Sequence, residues 1–155
     1  MTTRREFLVL ACGAFATPVE AQLDPNRAAL RQVAFREAIR KVTGDAPVNR
    51  GRVKLDLPPL IDNGNVVPLS VAVESPMTPA DHVKAIYVFT EKNPQPNVIG
   101  VHLGPRAGRA YIATRARIAD TGTVIAIAQM SDGSFWSDSV PVVVTLSACL
   151  EEGLI

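Results

Sequence analysis

The chain lacks most of what would mark a nucleic-acid binder, a membrane protein or a phosphate enzyme. Its 16 lysines and arginines are offset by 15 aspartates and glutamates, a formal net charge of +1, so no basic footprint for a polyanion is present. No apolar run approaches the roughly 20 residues that cross a bilayer. Phosphate-cradling glycine loops, paired carboxylates in an obvious cleft, internal repeats and low-complexity stretches are all missing. Cysteine is scarce too: the 155 residues hold two, Cys12 and Cys149.

What is there is an apolar fraction of 47% spread along the chain in short β-branched clusters. That composition suits one soluble domain with a real core. The first 21 residues stand apart. Thr3-Arg4-Arg5-Glu6-Phe7-Leu8 is a paired-arginine start, Leu8 to Ala16 is apolar, and Val19-Glu20-Ala21 offers a small-residue cleavage site before Gln22. The segment resembles a twin-arginine export signal, with Thr rather than Ser before the pair and no Lys after Leu8. A lipoprotein reading of Val9-Leu10-Ala11-Cys12 leaves too short an apolar core ahead of Cys12. The expected organisation is therefore a signal over residues 1–21 and one domain over 22–155. Loss of the signal removes Cys12, and Cys149 remains as an odd thiol in an exported protein. Such a thiol must be buried, paired with another molecule or chemically employed.

Asp24-Pro25 starts a helix with an acidic cap and proline at the first helical position, and Gly44 closes it. Leu30, Val33, Phe35, Ala38, Ile39 and Val42 recur at helical spacing, which predicts one amphipathic face. From residue 52 the pattern changes to strands: 53–57, 66–74, 84–90, 98–103, 110–118, 123–130 and 140–148. Pro68 predicts an edge or a bulge in the second of these. The segment 123–130 is apolar throughout and predicts burial on both faces. Turn signals recur every 8 to 12 residues, as at Asp62-Asn63-Gly64, Asn93-Pro94-Gln95-Pro96 and Ser131-Asp132-Gly133. The fold expected is mainly β, an immunoglobulin-like sandwich of about seven strands with one N-terminal helix.

The last strand delivers Cys149 close to the chain's end. The period of two puts Val140, Val142 and Val144 on one face, and Val143, Thr145, Ser147 and Cys149 on the other. Three chemistries compete with plain core filling for this cysteine. A copper centre would draw on Cys149, His82, His102, Met77 and Met130, but only Glu151 and Glu152 follow the cysteine as ligands, against the histidine and methionine such centres place there; no metal is expected. A nucleophilic hydrolase would need His82 or His102 beside the thiol. A carrier needs only an accessible thiol on a short terminal arm, which Cys149 supplies.

At this point the residues resemble the SoxY family of sulfur-oxidation carriers. The resemblance rests on the front helix, Gly51-x-Val53-x-Leu55-x-Leu57-Pro58, Asp62-Asn63-Gly64 followed by Val67-Pro68-Leu69, Ser75-Pro76-Met77, Asn93-Pro94-x-Pro96, Thr114-Arg115-x-Arg117, Ser131-Asp132-Gly133 with Trp136, and the closing Val-x-Val-Thr strand before a cysteine. It implies a periplasmic, non-catalytic carrier, soluble and free of nucleic acid. No cofactor is implied other than a thiosulfate-derived sulfur intermediate held covalently on Cys149. The partners implied are a SoxZ-like subunit in a heterodimer and sulfur-oxidising enzymes of SoxAX, SoxB and SoxCD type. The alternative is a module that keeps the fold and the SoxZ-like partner but carries no sulfur. The chain departs from the family at the arm. Where the usual sequence is Gly-Gly-Cys-Gly-Gly, it reads Ser147-Ala148-Cys149-Leu150-Glu151-Glu152, which is bulkier, stiffer and more acidic. Arg115 and Arg117 share a strand face, as candidates for steering anions or an acidic partner or else as a solvated surface. Arg106 and Arg109 in the preceding loop carry the same two readings.

Overall fold

A computed structural model describes residues 25–145. The expected signal, the arginine pair and Cys149 with its flanking residues lie outside that range.

Helix α1 spans Pro25–Thr43. Gly44 ends it at φ +61°, a conformation a Cβ would oppose, and its N–H closes the last turn on the Arg40 carbonyl at 2.8 Å. The apolar stripe divides along its length. Phe35, Ala38, Ile39 and Val42 pack against Phe89, Ile127 and Phe135 of the sheet below. Leu30 and Val33, on the earlier turns, are 67% and 52% exposed.

Nine strands follow: β1 (Val48–Arg50), β2 (Val53–Asp56), β3 (Leu60–Ile61), β4 (Val67–Val73), β5 (Val83–Thr90), β6 (Asn97–His102), β7 (Ala110–Ala116), β8 (Gly122–Met130) and β9 (Phe135–Val144). They form a six-stranded sheet in the order β1-β9-β8-β5-β6, with β3 also on β9, and a three-stranded sheet in the order β2-β4-β7. The two pack as a mainly β, immunoglobulin-like sandwich. Its core joins Val53 and Leu55 of β2, Val67 to Val73 on alternate positions of β4, and Ile86, Val88, Val124, Ala126, Ala128, Val142 and Val144 of the larger sheet.

The count is nine rather than seven because β1 and β3 are too short to show alternation. Both pair in parallel with β9, Val48 with Phe135 and Leu60 with Val143. The last strand also starts at Phe135, not at residue 140. Strand β8 is buried on both sides as expected, with Val124, Ala126 and Ala128 facing the sandwich core and Ile127 facing the helix. Strand β4 is central rather than an edge or bulge. Pro68 is accommodated because β2 reaches only as far as Ser70, so no strand lies beside Pro68 on that side.

Three polar groups fix the loops. Asn93 is buried, donates from Nδ2 to the Arg117 carbonyl at 2.8 Å and accepts the Ala119 N–H at 2.8 Å. Asp138 points from β9 across the sandwich, where its Oδ2 accepts the Leu55 N–H of β2 at 2.9 Å. At the β8–β9 hairpin, Gly133 takes φ +87°, and Asp132 accepts both the N–H and the hydroxyl of Ser134 at 2.8 and 2.7 Å. These two bonds hold the Asp132 carboxyl below the usual carboxylate range, the hydroxyl contributing most.

Candidate functional site

Strand β9 ends in a clamp. The Val143 N–H donates to the Pro59 carbonyl at 2.8 Å and the Thr145 N–H to the Ile61 carbonyl at 2.9 Å. Thr145 Oγ1 lies 3.4 Å from the Ile61 carbonyl oxygen and 3.2 Å from that of Asp62. On the other side, Thr121 Oγ1 accepts the Val144 N–H at 2.9 Å. Val142 and Val144 point inward while Val143, 52% exposed, points out, as the alternation predicted. Three residues lie between Thr145 and Cys149, and the backbone joining them can span at most about 14 Å.

The histidines are at the other end of the sandwich. His102 pairs with Ala85, which pairs in turn with Gln129, whereas the clamp end of β8 is Gly122, opposite Val142. Those seven positions of strand amount to about 23 Å, before the three residues from Val142 to Thr145 are added. His82 precedes β5 at the same far end, its N–H held by Ser131 Oγ at 3.1 Å and its Nδ1 at 3.1 Å from the Thr78 carbonyl oxygen. His102 meets the Tyr87 ring edge-on at 6.1 Å. Both imidazoles lie beyond the roughly 14 Å that the backbone from Thr145 to residue 149 can span. The remaining candidate ligands serve the core: Met77 and Met130 are buried, and Met77 Sδ accepts the Val83 N–H at 3.5 Å. Met77 is held at φ 49° beside Ser75, whose hydroxyl accepts its N–H at 3.2 Å. Among the described residues, no three of His, Cys, Asp or Glu come close enough to share a metal ion.

Arg115 and Arg117 do share a face, the exposed outer face of the edge strand β7 and its extension, with Tyr111 and Ala113. Their surroundings differ. Arg115 lines an open groove of about 960 Å³ together with Asp56, Leu57, Pro58, Pro59, Leu69 and Thr114, whereas Arg117 is not among its walls. Arg109 stacks over the Tyr111 ring, its Cζ 4.7 Å from the centroid, while Arg106 is simply exposed.

The groove exists because Pro58-Pro59 turns the chain out of the three-stranded sheet after Asp56 and carries it to β9 as β3. That departure leaves the Val67–Leu69 end of β4 without a neighbour on one side. Pro59 thus belongs to two features at once, a wall of the groove and an acceptor in the clamp. Sequence reasoning found Arg115 but not the groove. The double proline that follows the 53–57 strand was the available signal.

A family model described as "Sulfur oxidation protein SoxY" matches residues 39–149, a span that reaches Cys149. Among solved structures, the sulfur carrier protein SoxY from Chlorobium limicola f thiosulfatophilum is similar at 25% identity and a TM-score of 0.61, over 74% of this chain and 98% of that one. A superoxide reductase (neelaredoxin) variant from Ignicoccus hospitalis is similar at 17% identity and a TM-score of 0.54, over 70% and 86% of the two chains. The superoxide reductase from Nanoarchaeum equitans follows at 11% and 0.51, over 62% and 100%. The two reductases share the fold alone. No curated protein sequence matches the chain.

Proposed function

Because the chain belongs to the SoxY family of sulfur-oxidation proteins, we propose that it is a periplasmic carrier that holds thiosulfate-derived sulfur on Cys149 and presents it to sulfur-oxidising enzymes. The observation that carries this reading is the clamp on β9. It fixes the root of a four-residue arm at one end of a rigid sandwich and keeps both histidines of the chain out of the thiol's reach. With neither histidine able to serve it as a base, such a thiol suits a cargo point acted on by other proteins.

Loading joins Cys149 Sγ to the outer sulfur of thiosulfate, Cys–SH + S2O3²⁻ → Cys–S–S–SO3⁻ + H⁺ + 2 e⁻. A haem enzyme of SoxAX type accepts the electrons. Water then cleaves the terminal sulfur–sulfur bond at a SoxB-type enzyme, releasing sulfate and two protons and leaving a persulfide on the arm. A SoxCD-type enzyme oxidises the retained sulfur. The protein works as a heterodimer with a SoxZ-like subunit and reaches the periplasm by the twin-arginine-type signal of residues 1–21.

Ser147, Ala148, Leu150 and Glu151 in place of glycines, with Glu152 after them, favour a second reading, in which the fold and the partner are kept without the cargo. Intact mass of the exported protein from cells oxidising thiosulfate separates the two. A sulfur adduct confined to the C-terminal peptide and lost in Cys149→Ser supports the carrier. An unmodified Cys149 that alkylates only after denaturation overturns it.

A further inference from the structure

The groove beside Arg115 sits at the clamp end of the sandwich. Its Pro59 wall lies two residues, about 7 Å, from the Ile61 that anchors Thr145, well inside the roughly 14 Å that the arm spans. Its chemistry is divided. Pro58, Pro59 and Pro68 give an apolar wall, and Arg115, across the strand pair from Pro68, gives a cation, with Ser70 and Thr114 also in the lining. At about 960 Å³ it exceeds what a sulfonate needs and leaves room for an arm backbone as well.

We propose that this groove is a resting site for the loaded arm, with the terminal sulfonate of a thiosulfate adduct on Cys149 held by Arg115 and the sulfur chain lying along the proline wall. This rests on the carrier reading and adds a binding site to it. A divalent-sulfur chain ending in a sulfonate is apolar along its length and anionic at its tip, matching the groove's two parts. The empty arm offers Arg115 only the carboxylates of Glu151 and Glu152; loading adds a sulfonate on Cys149 itself and so strengthens the hold. Asp56 also lines the groove, and its carboxylate limits the hold on an anion. The groove therefore distinguishes loaded from empty arms, sheltering a labile adduct between enzymes.

Tetrathionate loads the purified exported chain without any enzyme. The Cys149 thiolate attacks an inner sulfur, the central sulfur–sulfur bond breaks, thiosulfate leaves, and the same adduct remains. Dithiothreitol then strips it, returning the thiol and thiosulfate as the reagent closes to its cyclic disulfide, and intact mass follows the rate. Arg115→Gln is expected to speed stripping by about two- to fivefold, the effect of one partly exposed ion pair. Asp56→Asn slows it, Arg117→Gln leaves it unchanged, and iodoacetamide labels the unloaded thiol equally fast in all of them. The backbone amide resonances of Ser70 and Thr114 should shift on loading in the native chain and not in Arg115→Gln. Equal stripping rates with unmoved amides overturn the resting site and leave the carrier reading intact. A native Cys149 that refuses tetrathionate overturns the carrier reading, and the resting site with it.

Discussion

The two sheets of the sandwich are built on opposite terms. Strands β5 and β8 of the larger sheet are apolar on both faces, since one face meets the other sheet and the second meets α1. Strands β2, β4 and β7 are apolar only inward, and their outer face carries Lys54, Asp56, Ser70, Ala113, Arg115 and Arg117. Covered on two sides, the larger sheet supplies most of the buried apolar surface and hence most of the stability. The smaller sheet is free to differ at its surface, and that is where the groove opens. Stability and recognition are divided between the layers, and only β9 with its β3 clamp serves both.

Substitutions that break the contrast rank by how much they disturb the doubly covered sheet. Phe89→Ala, beneath the helix and fully buried, should cost about 3–5 kcal/mol, read by urea unfolding. Asp138→Ala removes the carboxylate that accepts the Leu55 amide between the sheets and should cost about 2 kcal/mol, with β2 losing amide-exchange protection before β4. Thr90→Val goes the other way. The Thr90 hydroxyl is buried with no hydrogen-bond partner among the described residues, so its replacement by a methyl of the same shape should stabilise by about 1 kcal/mol, seen as a higher Tm. Ala113→Ser, on the open face of the smaller sheet, should change stability by less than about 0.5 kcal/mol.

Smallest of all is an acid effect at the hairpin. The Asp132 carboxyl is held below its ordinary range by Ser134, so its contribution is present above the unfolded-state pKa and lost as pH falls through the lower folded value. The unfolding midpoint of Asp132→Asn should therefore depend less on pH than that of the native chain across the acid range below the usual carboxylate pKa. It should match the native slope near neutrality.

Much of this architecture was legible because alternation in strands and burial are one signal. Val67 to Val73, Val83 to Thr90 and Gly122 to Met130 announced their strands and their faces. The front helix was recognisable from its Gly44 stop, but not the division of its stripe. Exposure of Leu30 and Val33 depends on where the sheet below ends, which no periodicity encodes. The start of β9 was hidden by Ser137-Asp138-Ser139, which reads as a polar turn until the Leu55 amide across the sandwich explains the inward carboxylate. Likewise β1 and β3 have two or three residues each and acquire meaning only from a distant partner strand. Arg115 could be singled out from its alternation with Arg117. Its groove could not, because strand register brings Pro59, Pro68 and Arg115 to one place from three separate parts of the sequence.

Parallel pairing of β3 with the end of β9 has a mechanical consequence. Tension applied along the C-terminal segment runs in line with both strands, so the bonds to Pro59 and Ile61 resist together in shear instead of unzipping one after another. The clamp acts as a strain relief, like the collar where a cable leaves its housing. A pull on the end of the chain is then borne by the clamp before it reaches β8 and the buried layer beneath it.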